Sequence, residues 1–372
     1  MKTEKKEELT SERLYSLDIL RGFDMFWITG GAYLFAELAT STNWAFIKAI
    51  SHQLGHREWT GFAMWDLVFP LFMFIAGVAI PYALLAKREK GISKIVLYKK
   101  VTRRLILLVV LGFVYNGILR LDFENMRYAS VLGQIGFAYF FTSLIVLNVK
   151  KMQSLVLWCA GILVGYGMIQ LLIPVPGVGA GVLTPEGCIN GYIDRMLLPG
   201  RLHGGSFDPE GILCIISATG ITLMGVIAGK ILRNRDINQY RKVIILVSVG
   251  IGLFILGLIL KNWYPVIKKA WTTTFNLYAG GMCFVLMALF YLIADVWKYR
   301  KWGFYFKVIG MNSITIYLGV QVVDFRHTSD FLFGGVAAHL GNFGPVLAAI
   351  AYLAVVWLLL YYLFRKKIFL RV

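Results

Sequence analysis

Apolar runs of about twenty residues recur along the chain, separated by short segments rich in Lys, Arg and turn-forming residues. A membrane-spanning helix needs about 20 mostly apolar residues. Ten stretches fit: 17–40, 61–86, 104–121, 128–148, 154–173, 211–231, 243–261, 275–295, 304–324 and 343–364. The third and ninth are the shortest or most polar, so nine or eleven spans also fit the pattern. The expected fold is an all-α polytopic membrane protein of about ten transmembrane helices. Residues 1–16 precede a membrane domain over 17–364, and 365–372 form a tail. Two connections, 41–60 and 174–210, are long; the second carries Pro174, Pro176, Pro185 and Pro199 and reads as an ordered loop or small cap rather than a span. The first span holds Asp18, Arg21 and Asp24 and does not read as a cleaved signal peptide. No internal repeat of the kind common in secondary transporters is visible.

Composition agrees: 58% of the 372 residues are hydrophobic and only 16% charged, against roughly 25% charged in soluble domains. The net charge of +18 would suggest nucleic acid in a soluble protein. Here the Lys and Arg residues alternate with the spans. With both termini cytoplasmic, inner segments hold 27 of them and outer segments ten, a split that fixes this orientation and removes the case for nucleic acid. The four cysteines have no paired spacing, so neither a zinc site nor a disulfide framework is indicated.

In this orientation all five histidines fall on the outer side or at its boundary. His52 and His56 are four residues apart and would share a helical face if 50–58 is helical. No third ligand accompanies them, so no metal is expected and proton transfer is preferred. Asp66, at the outer end of the second span, is costly in a membrane unless paired or solvated. It either caps the helix or holds an imidazole as a general base requires. Pro70 and Pro81 predict irregularity in this span. Asp18, Arg21 and Asp24 share a broad face of the first span, as a salt-bridge ladder or a polar inner vestibule. Arg103 and Arg104 follow six further basic residues from Lys87 on; positive-inside bias or a phosphate-rich ligand accounts for them. Asn312 and Ser313 need partners within an apolar span. Gly30, Gly31, Gly161, Gly165, Gly250 and Gly252 read as packing contacts.

Six segments in order carry a resemblance. RLYSLDILRGFDMF (13–26), the stretch from His56 through Trp59, Gly61 and Asp66 to Gly77, RRLILLVVLGFVYNG (103–117), VLGQIGFAY (131–139), FDPEGIL (207–213) and GMNSITIYLG (310–319) resemble the membrane-bound heparan-α-glucosaminide N-acetyltransferase family, and its bacterial members most. The resemblance implies a transmembrane acyltransferase bundle that moves acetyl from cytoplasmic acetyl-CoA to an amino sugar or glycan on the far side. It implies His56 as the acetyl-transfer histidine, with Asp66 orienting it, and a dimer in a bacterial inner membrane. CoA phosphates would then meet Arg21, Arg103 and Arg104, with Asn312 and Ser313 further along the donor's path and available to the oxyanion. Trp59, Asp208, Glu210, Lys268 and Trp271 would face the acceptor. The pantetheine arm would reach about halfway through a ~30 Å core. His56 would act by deprotonating the amine or by carrying the acetyl as an acyl-imidazole. Gln134, Ile267 and Val320 stand where the family commonly has Arg, Asn and, in animals, His, which leaves the acceptor more open than the reaction. Two other readings remain: a transporter of amino sugars or small metabolites, and an O-acyltransferase of surface glycans.

Overall fold

The computed structural model describes residues 14–370; most of the expected 1–16 segment, with its four basic residues, lies outside them, as do Arg371 and Val372. Fifteen helices are used below: α1 (Tyr15–Phe26), α2 (Ala32–Thr42), α3 (Ala45–Gln53), α4 (Val68–Ile80), α5 (Lys94–Tyr115), α6 (Val131–Asn148), α7 (Met152–Leu172), α8 (Ile189–Leu197), α9 (Ile212–Arg233), α10 (Gln239–Leu260), α11 (Thr273–Tyr291), α12 (Phe304–Met311), α13 (Ser313–Val322), α14 (Phe325–Ala338) and α15 (Gly344–Arg365). Among the described residues β pairing is limited to two isolated bridges, Arg127 with Gly200 and Val175 with Gly179. The protein is an all-α membrane protein.

Among the described residues seven helical stretches are long and apolar enough to cross a bilayer: Met64–Glu89, Val131–Asn148, Met152–Leu172, Ile212–Arg233, Gln239–Leu260, Thr273–Val296 and Gly341–Arg365. The other three of the ten expected spans fall short for separate reasons. The first is two helices, α1 and α2, joined by a wide turn at Trp27–Gly31 where Gly30 takes φ 137°, and α1 carries three charges. The 104–121 run takes in the apolar second half of α5, which ends at Tyr115, and a separate short turn at Ile118–Arg120; the first half of α5 is basic. The 304–324 run breaks at Asn312, between α12 and α13.

Helix α9 lies at the centre, packed on α4, α6, α7 and α11. It and α4 cross at backbone contact: a Cβ on Gly77 would meet the Thr222 carbonyl oxygen at 2.0 Å, and one on Gly225 the Phe74 oxygen at 2.0 Å. Small residues let apolar helices approach closely where lipid supplies no hydrophobic drive between them. By contrast α10 keeps one face on α11 and leaves Ile244, Ile251 and Ile259 exposed as a lipid-facing side. Of the six glycines expected to pack, Gly30, Gly31 and Gly250 do so, while Gly161, Gly165 and Gly252 face open space.

Candidate active site

At the end of the bundle away from the 87–93, 149–151 and 234–238 connections, three loops meet. Helix α3 stops at Gln53, so His52 and His56 do not share a helical face; His56 lies in the loop beyond. Gly61, at φ 114°, donates its N–H to the Val266 carbonyl at 2.8 Å and so ties this loop to 261–272. A tight turn there, closed by the Trp271 N–H on the Lys268 carbonyl at 2.9 Å, brings Lys268 to His56.

Asp66 is almost fully buried and divides its two oxygens. Oδ2 accepts the Ala63 N–H at 3.0 Å, capping the turn that opens the Met64–Glu89 span. Oδ1 lies 2.8 Å from His56 Nδ1. Asp66 therefore both caps this turn and contacts the imidazole. The Trp65 indole N–H donates to His56 Nε2 at 2.9 Å. Nε2 thus carries the lone pair and Nδ1 the proton, the tautomer fixed by the partners. Lys268 Nζ stands 3.5 Å from Asp66 Oδ1 and 3.0 Å from His56 Nδ1. Burial pushes the Lys268 ammonium below its ordinary value, with Asp66 and Glu210 opposing. The His56 ring keeps half its surface open, at 50%, against 2% for the Asp66 side chain. An anchored imidazole with one face accessible is what proton transfer needs.

Behind the ring, His56, Trp65, Lys268 and Glu210 open on a cavity of about 350 Å³ walled by Phe69, Phe72, Tyr115, Ser313 and Tyr317. Phe72, Leu132, Ile135, Ser313 and Ile314 also line a second cavity of about 410 Å³, which adds Asp18, Arg21 and Arg104. Arg104 is shared in turn with a third, about 300 Å³, holding Lys100, Arg103 and Tyr139. The three follow one another from the basic connections to His56. Arg104 lies 4.1 Å over the Tyr139 ring, and its Nε is buried without a hydrogen-bond partner. Contact with Lys87, then burial, pushes Lys100 down to about 8, the mark of cations gathered with too little negative charge between them.

Glu210 is held from the side. Arg127 forms a fork on Asp208, through Nε at 2.7 Å and a terminal nitrogen at 2.5 Å, and also donates to Glu210. The fork raises the Arg127 pKa despite its burial. Asp208 also accepts the His203 and Glu210 N–H groups, each at 3.0 Å. Burial raises Asp208, but Arg127 and these donors outweigh it and hold the carboxyl below its ordinary value; burial raises Glu210 against the pull of Arg127. Asp194 on α8 accepts the Asp208 and Ile212 amides at 3.2 and 3.0 Å, locking the 174–210 cap to the start of α9.

His56, Asp66, Lys268, Glu210 and Ser313 thus come together, while Arg21, Arg103 and Arg104 gather at the far end of the cavities. Three residues stand behind the site. The Trp59 indole donates to the Leu183 carbonyl at 2.7 Å, pinning the loop to the cap. Trp271 is buried, its N–H taken by the Pro209 carbonyl at 2.9 Å. Asn312 sits in the helix break, outside the cavity walls, with its amide nitrogen unpartnered. Asp18 and Arg21 pair at 3.8 Å, but Asp24 turns into a separate apolar cavity with neither oxygen partnered, so the three form no continuous ladder. Trp65 and Arg127 were missed in the sequence. Trp65 adjoins Asp66 and could have been suspected; Arg127 shows its role only by pairing across 81 residues.

Fold and site together define an all-α multi-pass membrane protein with a histidine–carboxylate centre at one end of a chain of cavities. Residues 13–172 match a family described as a domain of unknown function (DUF5009). The chain is 28% identical over 423 residues to heparan-alpha-glucosaminide N-acetyltransferase of Homo sapiens, covering 96% of this chain and 59% of that protein. The Mus musculus protein of the same name is 27% identical over 382 residues, covering 84% and 56%. The chain is thus similar over most of its length to heparan-alpha-glucosaminide N-acetyltransferases. The chain spans less than two thirds of the length of these relatives.

Proposed function

We propose that the chain transfers acetyl from acetyl-CoA, entering at the end of the basic connections, to the amine of an amino sugar or glycan at the His56 end. The observation that carries this reading is the run of three cavities with shared walls between a basic rim and an anchored imidazole. The donor set at the rim suits a thioester carried on a phosphorylated nucleotide: Arg104 has a buried, unpartnered Nε, Lys100 and Arg103 stand beside it, and Arg21 lies on the next wall. The Lys/Arg distribution supports a cytoplasmic rim.

His56 Nε2 takes the proton from the acceptor amine as its nitrogen adds to the thioester carbonyl. The C–N bond forms, the C–S bond breaks, and His56 returns the proton to the departing sulfur. Asp66 holds the imidazole and offsets its charge while protonated. Lys268 and Ser313 line the same cavity and supply donors for the oxyanion, which are worth most where water is excluded. Trp65 occupies Nε2 in the resting site and must yield it to the amine. Glu210, fixed by Arg127, gives the N–H groups of the incoming neutral amine a carboxylate to donate to.

A thermal-shift and turnover assay with acetyl-CoA and a panel of amino sugars tests this. Saturating acetyl-CoA, at about 100 times its Kd, should stabilise the fold by about 2.7 kcal/mol, and label should pass to amine acceptors. Solute flux without CoA, and no CoA stabilisation, would mark a transporter. Transfer to hydroxyl acceptors only would mark an O-acyltransferase.

A further inference from the structure

The largest of the cavities described, about 640 Å³, belongs to none of this machinery. It lies among the basic connections, between the end of the Met64–Glu89 span, the start of α5, the end of α6 and the end of α9, and shares no residue with the three cavities in series. Six cations line it, Arg88, Lys94, Lys150, Lys230, Arg233 and Arg235, with one acid, Glu89. Arg233 takes that acid in a two-point pair at 2.8 and 2.5 Å.

Three of the other cations are positioned by neutral groups. Lys94 donates to the Asn148 side-chain oxygen at 2.9 Å, and Asn148 is itself fixed by donating to the Tyr98 hydroxyl and the Leu144 carbonyl. Lys230 donates to the Lys150 carbonyl at 2.9 Å, and Arg88 to the Ile92 carbonyl at 3.2 Å. Such bonds fix a cation in place without adding a counter-charge; the one acid, Glu89, acts on Lys230 as well as on Arg233, so a single carboxylate faces six cations. Helix-end electrostatics does not account for the set: Lys94 opens α5 and Lys150 precedes α7, where the helix dipole favours anions. Beneath the charges the wall is apolar, formed by Pro81, Leu85, Val146 and Leu147.

We propose that this cavity binds the phosphate headgroup of an anionic phospholipid, with the acyl chains on its apolar wall. The phosphate chemistry alone would also suit a soluble phosphate. The apolar wall and its place at the ends of three membrane spans favour the lipid, whose surface attracts clustered Lys and Arg.

Purified full-length protein in neutral detergent is titrated with phosphatidylglycerol, with phosphatidylcholine of the same chains, and with inorganic pyrophosphate and CoA, followed by native mass spectrometry and thermal shift. Phosphatidylglycerol should bind and stabilise where phosphatidylcholine does not. Lys94→Gln/Lys150→Gln should weaken it by roughly 25-fold, about fivefold per charge removed. Lys301→Gln/Lys366→Gln, which removes as much charge elsewhere, should bind as the parent does. Equal phosphatidylglycerol binding by both double variants would overturn the proposal, as would displacement of the lipid by pyrophosphate or CoA. Lipid binding is read without turnover, so this outcome is independent of the acetyl-transfer reading.

Discussion

Asp66 joins local structure to chemistry in one side chain. One oxygen starts a helix and the other holds His56, so changing it tests position and charge together. Asp66→Asn keeps the shape and offers one acceptor in place of two. Acetyl transfer by the purified variant should fall at least about 100-fold in kcat, the lower range for a general base, with acetyl-CoA stabilisation unchanged. Equal loss of both would mean that Asp66 acts only in folding. The sequence exposed this pair because His56 and Asp66 lie in one short motif. It did not expose Trp65 as the partner of Nε2, since an aromatic residue beside a span start is ordinarily an interfacial anchor.

Between elements, the long cap 174–210 is fixed by carboxylates rather than by apolar packing alone. Arg127 is the counter-charge for Asp208 and Glu210, and Arg127→Met leaves both buried without it. The expected loss is about 3–5 kcal/mol of stability, read as a lower unfolding midpoint. Asp194 gives a pH dependence. Its folded pKa is raised from 3.8 to about 6 by burial, so between those values the folded state binds more protons than the unfolded. This contribution is fully present below about pH 4 and lost as pH rises through 6. The melting temperature should fall between pH 5 and 7 more steeply in the parent than in Asp194→Asn. The prolines of 174–210 suggested an ordered segment, but Arg127 is 81 residues from Asp208 and carried no local signal, and Asp194, within the segment itself, shows its role only through the Asp208 and Ile212 amides it accepts. Span limits were legible wherever a helix is apolar throughout. They were not where a charge, Gly30 or Asn312 interrupts it, because hydropathy averages over a break that backbone geometry creates.

Across the whole molecule, transfer between a basic rim and the His56 centre needs two chemically different ends. All four native cysteines are buried, so added ones report cleanly. In sealed vesicles of known orientation, an impermeant maleimide should label Lys90→Cys from the cytoplasmic side only and Glu186→Cys from the other side only; labelling of both from one side would break the topology. The most direct test of the central claim is transfer of labelled acetyl from acetyl-CoA to glucosamine by purified His56→Ala protein beside the parent. Transfer should proceed in the parent and fall at least about 100-fold in the variant, with acetyl-CoA stabilisation retained. Undiminished transfer by folded His56→Ala protein would contradict that claim.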